Sequence, residues 1–471
     1  MSGVYQGTFK SRADEALHNP SLQKALKNFK PLFVAKRADA VAALEGFEQL
    51  RETAAAIKDA VLDNLDEWLE RYASAVEAAG GHVHFASDAE EARNIILDIC
   101  RKAEAKTICK GKSMVSEEIG LNEVLEEAGY KVVETDLGEY IIQLAHEPPS
   151  HIIAPAIHKT REQVADLFEA NHPGRPREDT VAGLVGEART VLREKFFQSD
   201  VGITGGNFLI AETGTSVIVT NEGNGDLTQT LSRVHIVTSG IERVLPTLDD
   251  LSVFLRLLAR SATGQDTECY TTLSTGPRRP GDPDGPEEYH VVLVDNGRSK
   301  MLGGKFREML RCIRCGACMN HCPVYGAVGG HAYGWVYPGP MGSILTPLFN
   351  GLAEHYDLPN ACTLNGRCQS VCPVKIPLTE LIRTLRSEQV KAGLMPASQR
   401  RMMGVWGWVA RNPGLYHALE RFGSRLLRAR AGKSGRIASL PGAGAWTSVR
   451  DIPAPDGPTF LEKFQAMRGE K

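Results

Sequence analysis

HVHFASDAEEARNIILDICRKAEAKTICK, residues His82 to Lys110, is β-prone at both ends and helical between them. The runs His82 to Ala86 and Thr107 to Lys110 bracket a helical stretch from Ala89 to Ala103, an order that builds a parallel or mixed sheet covered by helices. Outward from it the alternation continues. Strands are predicted at Lys131 to Asp136, His151 to Ala154, Ser216 to Thr220, Arg233 to Thr238 and Tyr289 to Val294, with helices over Glu117 to Ala128 and Thr180 to Gln198. The predicted α/β domain spans residues 76–300. Before it, residues 1–75 form a helical lead-in, in which Ile57, Val61, Leu65, Trp68, Leu69 and Tyr72 recur at helical spacing. The Pro/Gly-rich run from Gly276 to Gly285 reads as a surface loop. No internal repeat of 20–50 residues is evident.

The 471 residues predict about three domains at roughly 100–200 residues each. Fifty-seven acids against fifty-four Lys and Arg leave a net charge of −3, which argues against nucleic acid as the main ligand. Apolar content of 42% and charged content of 24% are those of a globular protein. No apolar run approaches the roughly 18 residues of a membrane span, and the start of the chain lacks the pattern of a secretory signal. The expected location is the cytoplasm.

Seven of the ten cysteines lie between Cys312 and Cys372. The others, Cys100, Cys109 and Cys269, are expected to be buried, inert thiols. The run Cys312-Ile-Arg-Cys315-Gly-Ala-Cys318-Met-Asn-His-Cys322-Pro323 has the C-x2-C-x2-C-x3-C-P spacing that wraps an iron–sulfur cluster, with the proline turning the last cysteine toward another one. The second run, Cys362-Thr-Leu-Asn365-Gly-Arg-Cys368-Gln-Ser-Val-Cys372-Pro373, ends alike but carries Asn365 where a further cysteine would stand. Crossed ligation, as in two-cluster ferredoxins, assigns Cys312, Cys315, Cys318 and Cys372 to a [4Fe–4S] cluster and Cys322, Cys362 and Cys368 to a second. Three thiolates suit a [3Fe–4S] centre or a [4Fe–4S] cube with an open corner. The three-cysteine run also resembles that of succinate dehydrogenase iron–sulfur subunits. Zinc would need paired C-x2-C knuckles, and a disulfide framework is out of place in a long cytosolic chain.

The chain lacks a G-x-G-x-x-G fingerprint and a P-loop, and Gly202-Ile-Thr-Gly205-Gly206 is read as a tight turn. An electron relay, with bond-breaking done elsewhere, is therefore expected. After the α-helical two-cluster domain of residues 301–392, the C-terminal region 393–471 is first helical and basic, then Pro/Gly-rich. From Lys391 to Arg436 it holds ten Lys and Arg and one acid, Glu420, interleaved with Met402, Met403, Val405, Trp406 and Trp408. Two readings stand: a helical face packed on the cluster domain with solvated arginines, or a docking surface for a partner or for an anionic membrane, which would give peripheral contact at its inner face. Pro441 to Pro458 reads as an extended tail.

Over nearly its entire length the chain resembles the lactate utilization protein B family, iron–sulfur members of the LUD-domain proteins. The resemblance rests on Gly111-Lys-Ser-Met-Val-Ser-Glu-Glu-Ile-Gly-Leu-Asn122, Glu134-Thr-Asp-Leu-Gly-Glu139, Pro149-Ser-His-Ile-Ile-Ala-Pro-Ala-Ile-His158, Ile210-Ala-Glu-Thr-Gly-Thr215, the two cysteine runs and Trp446-Thr-Ser-Val-Arg-Asp-Ile-Pro453. It implies an α/β LUD domain like the CoA-transferase and ribose-phosphate isomerase fold. It implies a three-component system that oxidises L-lactate to pyruvate, this chain carrying the two clusters beside a cysteine-rich subunit and a second LUD protein. The acceptor would be a flavoprotein, cytochrome or quinone. Many members of the family carry a cysteine in the Asn365 slot. Alternatives are the iron–sulfur subunit of a glycolate or succinate oxidoreductase, or an enzyme of CoA or sugar phosphates with a cluster-based sensor.

Within the LUD part, Lys112, Glu139, His151, His158, Glu212 and Thr213 fall beside predicted strand ends, where α/β folds place ligands, and are grouped as a candidate pocket. Each also has a plain structural reading. Ser113 or Ser116 with Glu117 would cap a helix, His158 would be a satisfied buried imidazole, and Glu212-Thr-Gly would be a turn.

Overall fold

A computed structural model describes residues 7–27, 31–447 and 450–469. The start of the chain, read above for a signal, and residues 448–449 of the quoted tail lie outside these. Two compact units divide the chain, Met1–Lys391 and Ala392–Lys471.

The first unit contains strands β1 His82–Ala86, β2 Thr107–Lys110, β3 Lys131–Glu134, β4 Val201–Gly205, β5 Phe208–Ile210, β6 Thr215–Thr220, β7 Val234–Gly240, β8 Val244–Leu245, β9 Tyr270–Ser274 and β10 Glu288–Val294. Six of them form one sheet in the order β1-β10-β7-β4-β2-β3, parallel at every pairing. The inner strands β4, β7 and β10 are buried almost throughout; in β10 Val291-Val-Leu-Val294 runs without alternation, as cover on both faces allows, while Gly, Thr, His and Ser interrupt the apolar residues of β4 and β7. Helix Ala89–Lys102 covers one face with Ala92, Ile96, Ile99 and Cys100, and Asp88 caps it by accepting from the Glu91 N–H. A smaller sheet, β8-β5-β6-β9, is built on the antiparallel pair of β5 and β6.

The structure departs from expectation at identifiable places. Residues 151–154 are an irregular turn and not a strand, because the His151 ring accepts from the Ile153 and Ala154 N–H groups that a ladder would need. Gly202 to Gly205 is the central strand β4, and the turn follows at Gly206. Gly202 lacks a Cβ because the Thr228 carbonyl of helix Asn224–Leu231 occupies that space. The predicted helix over Glu117 to Ala128 is two, Met114–Glu118 and Leu121–Glu127, broken where Gly120 takes a φ of 62°. Ser113 caps the first. Cys269 is exposed, whereas Cys100 and Cys109 are buried.

In the second unit, helix Ala397–Ala410 has no buried residue, and Trp406 and Trp408 are 60% and 62% exposed. The Pro/Gly-rich tail is not wholly extended: a helical turn forms at Gly444–Thr447, and Ile452–Pro453 pairs antiparallel with Arg436–Ile437. Among the described residues no helix is long and apolar enough to cross a membrane.

Candidate metal centre

Both cysteine runs fold the same way. Arg314 and Leu364 take left-handed backbone, φ 58° and 55°, and each is followed two residues on by a left-handed glycine, Gly316 or Gly366. A short helix comes next, Ala317–Asn320 or Arg367–Val371, and then the Cys-Pro step. One constant offset maps Cys312, Cys318 and Cys322 onto Cys362, Cys368 and Cys372, and Cys315 onto Asn365. The correspondence of the cysteine slots is legible in the sequence; the shared left-handed positions are not, because Arg314 and Leu364 have nothing in common as residue types.

The thiols fall into two groups. Burial, then the neighbouring Cys372 and Cys312 thiols, pushes Cys315 up to about 12. Burial, then Cys312 and Cys315, raises Cys318 far above its ordinary value, and Cys372 is pushed up to about 11 by burial with Cys312 as its thiol neighbour. Cys368 is raised to about 12 by burial, then by Cys362 and Cys322, and Cys322 itself is raised by burial and by Cys362. Cys372 thus sits with the first run and Cys322 with the second. Cys318 also feels Cys368, so the groups adjoin.

Backbone N–H groups of Tyr325, Leu364 and Ile376 point at the Cys322, Cys362 and Cys372 sulfurs at 3.3–3.5 Å, as donors do around iron–sulfur clusters. Sulfurs on one tetrahedral zinc would lie about 3.8 Å apart. Among the described residues no three cysteine sulfurs lie within 4.8 Å of one another; the one set of possible ligands that close is Glu147, His158 and His331. Seven thiols in two Pro-terminated runs, with backbone donors on three of the sulfurs, are residues whose chemistry fits iron–sulfur clusters. Asn365 does not replace the missing thiol. Its Oδ1 accepts from the Arg367 N–H at 2.9 Å and its Nδ2 donates to Thr363 Oγ1, closing its own exposed turn.

Both neighbouring regions grip these loops. From the lead-in, Arg51 donates twice to the Cys372 carbonyl at 2.9 and 2.7 Å, Arg37 donates to the Val371 carbonyl, and Asp59 takes Arg311 at 2.6 and 2.7 Å. From the α/β region, His151 Nε2 donates to Asn320 Oδ1 at 2.9 Å, the tautomer following from the two N–H groups its Nδ1 accepts. Burial lowers that imidazole to about 3, so it stays neutral. Tyr325 donates to the Ser150 carbonyl at 2.8 Å, and the same carbonyl occupies the space a Cβ on Gly330 would need.

Family models match at residues 69–294 for the LUD domain, at 308–376 for a 4Fe-4S dicluster domain and at 387–470 for "Lactate utilisation protein B, C-terminal". Lactate utilization protein B of Bacillus licheniformis is 45% identical over 98% of this chain and 97% of its own, and that of Bacillus subtilis is 44% identical over 97% and 95%. The Escherichia coli "Uncharacterized electron transport protein YkgF" is 41% identical over 98% and 97%. The chain belongs to the lactate utilization protein B family. A DUF162 family protein of known structure from Deinococcus radiodurans covers 49% of this chain at 13% identity with a TM-score of 0.29, too slight a likeness to bear on the fold.

In this family member the six grouped LUD residues do not line one cavity. Lys112 follows β2 and donates to the Ile153 carbonyl at 2.6 Å. Glu139 lies with Glu117 and Glu134 around the buried Lys110, and burial followed by those two carboxylates holds it well above the ordinary carboxyl range. His151 serves the cysteine loop. His158 joins Ser150 and Glu147, 2.7 Å from each, beside His331. Glu212 is exposed and accepts from the Leu248 N–H, and Thr213 bonds Thr215 in the β5–β6 turn. They scatter because strand ends of both sheets, and of loops that are not strands, were pooled.

Sequence reasoning also missed a buried ionic network. Arg298, fully buried, forks onto Glu118 with two bonds of 2.8 Å and donates to Glu242 at 2.7 Å; Tyr337 donates to Glu118 at 2.6 Å. Burial alone would raise the Glu242 carboxyl, but Arg298, then Arg243 and Arg314, outweigh it and hold it at about 2. Only the tertiary fold brings these residues together, and no local spacing signals it.

Proposed function

We propose that this chain is the iron–sulfur electron-transfer component of a system that oxidises L-lactate to pyruvate, acting with a cysteine-rich subunit and a second LUD protein. The observation that carries this is the crossing of the two thiol groups: Cys312, Cys315, Cys318 and Cys372 would hold a [4Fe–4S] cluster, and Cys322, Cys362 and Cys368 its neighbour. The names of the relatives, for lactate utilization and for electron transport, support the substrate and the role. When bound, the two clusters supply one-electron transfer, so the two electrons of each lactate leave singly. Around them the chain fixes the loops through Arg51, His151 and Tyr325.

Anaerobic purification followed by EPR tests the reading. L-lactate together with the two partner components is expected to reduce both centres, and L-lactate alone to reduce neither. Reduction by glycolate or succinate, with none by L-lactate, would refute it.

Because Asn365 turns away into its own loop, the second centre is proposed as [3Fe–4S]. Asn365→Cys is then expected to add about one iron per chain and to change the EPR signature from a three-iron to a four-iron centre. An unchanged iron content would mean that the wild-type centre already holds four irons with an open corner.

A further inference from the structure

Where β2, β4 and β7 end, a cavity of about 210 Å³ opens in the crevice that parallel sheets commonly use for ligands. Lys112 follows β2, Gly205 and Gly206 close β4, and Arg243 stands just after β7. The far wall comes from outside the α/β region: it is Arg314, between Cys312 and Cys315. Its left-handed backbone, rare for a non-glycine residue, turns the guanidinium onto the Tyr337 ring, 4.4 Å from the centroid, and to 3.6 Å from Glu242. Three cationic residues thus line one small space; Lys112 also donates to the Ile153 carbonyl, and Arg243 and Arg314 both lie beside Glu242, at 3.8 and 3.6 Å. Asp136 and Glu222 are the carboxylates that share it.

Arg243 is 7% exposed, yet its Nη1 has no hydrogen-bond partner. Thr220 Oγ1 and Asn224 Oδ1, in the same lining, are buried and unpartnered too. A buried guanidinium N–H left unpaired carries its whole desolvation cost, which a turn of the Arg243 side chain toward an anion in the cavity would remove.

We propose that this cavity binds a small monocarboxylate, received by Arg243, Arg314 and Lys112 against the Cys312–Cys315 loop. Guanidinium forks match a planar carboxylate, and the Asp136 and Glu222 wall disfavours a multiply charged phosphate. Thr220 and Asn224 suit a hydroxyl or carbonyl beside the carboxylate, as in 2-hydroxy and 2-oxo acids. Arg243 and Arg314 are also the electrostatic neighbours of the Cys312 sulfur. An anion held between them weakens the positive field there, so the occupied protein accepts an electron on the first cluster less readily, and by linkage the reduced protein binds the anion more weakly. A tenfold difference in affinity corresponds to about 59 mV for one electron.

The choice of 2-hydroxy and 2-oxo acids as probes rests on the proposed function; the cavity itself does not. Calorimetric titration of the oxidised, cluster-loaded full chain with pyruvate, L-lactate, acetate and inorganic phosphate tests it. Pyruvate or L-lactate is expected to bind better than phosphate, and Arg243→Gln to weaken binding at least about tenfold with both cluster signals retained. Should Arg243→Gln not fold, Lys112→Met provides the same comparison. Saturating pyruvate is expected to move the first cluster to lower potential in an EPR redox titration and to leave the second nearly in place. Tighter binding of phosphate, no heat with any carboxylate, or wild-type affinity in a folded variant would overturn the proposal. If pyruvate binds while L-lactate and the partners never reduce the clusters, the site stands and the proposed function falls.

Discussion

Serine at position 372 is expected to abolish one cluster and spare the other. Cys372 lies at the end of the second run, but its sulfur faces the thiols of Cys312 and Cys315. Cys372→Ser should therefore remove the four-thiolate centre and leave the three-thiolate signal, with iron content falling by about half. Cys322→Ser should do the reverse, although Cys322 closes the first run. Arg51 and Arg37 hold the backbone carbonyls of Cys372 and Val371 and not the sulfur, so the loop keeps its anchor in the variant. Loss of the same EPR signal in both variants would rule out crossed ligation.

The second large effect concerns Arg298. Methionine there would leave Glu118 and Glu242 buried without their main countercharge, and breaking a buried ion pair from one side costs about 3–5 kcal/mol. The urea midpoint of Arg298→Met, followed by circular dichroism, should fall accordingly, and adding Glu118→Gln should recover part of the loss. The pH dependence has a definite sign. Glu242 is held at about 2 in the folded chain against an ordinary 4.5, so its contribution is complete above 4.5 and disappears as pH falls from there through 2. The gap between wild type and Arg298→Met should narrow over that interval. A variant that unfolds at the wild-type midpoint near neutral pH would show that the network contributes nothing to stability.

What could be read from the sequence was what depends on near neighbours. Strand β10 was legible because burial on both faces writes the apolar run Val291 to Val294, and β2 and β7 because short β-prone stretches stand out between helical ones. The cysteine runs were legible because each loop supplies its thiols locally, and the Asn365 substitution stood out against the spacing. Gly202 misled because glycine usually marks a turn, whereas here it admits the Thr228 carbonyl against a central strand. Residues 151–154 misled because Ile152 and Ile153 look strand-like, while the ring of His151 takes the backbone donors. Arg243, Arg298 and Arg314 were invisible for a different reason: each acquires its partners from segments far away in the chain, and an arginine in isolation carries no mark of burial.

Gly330 faces the Ser150 carbonyl with no room for even a methyl group, and Gly316 would meet Ile153 at 3.1 Å. The two regions that touch there are consequently not interchangeable parts. A chimera joining this α/β half to a foreign cysteine-bearing half would collide with the Ser150 carbonyl unless the donor had glycine at position 330, and would have to displace Ile153 unless it had glycine at 316, so sterics at the seam constrain such a graft before redox chemistry is even reached.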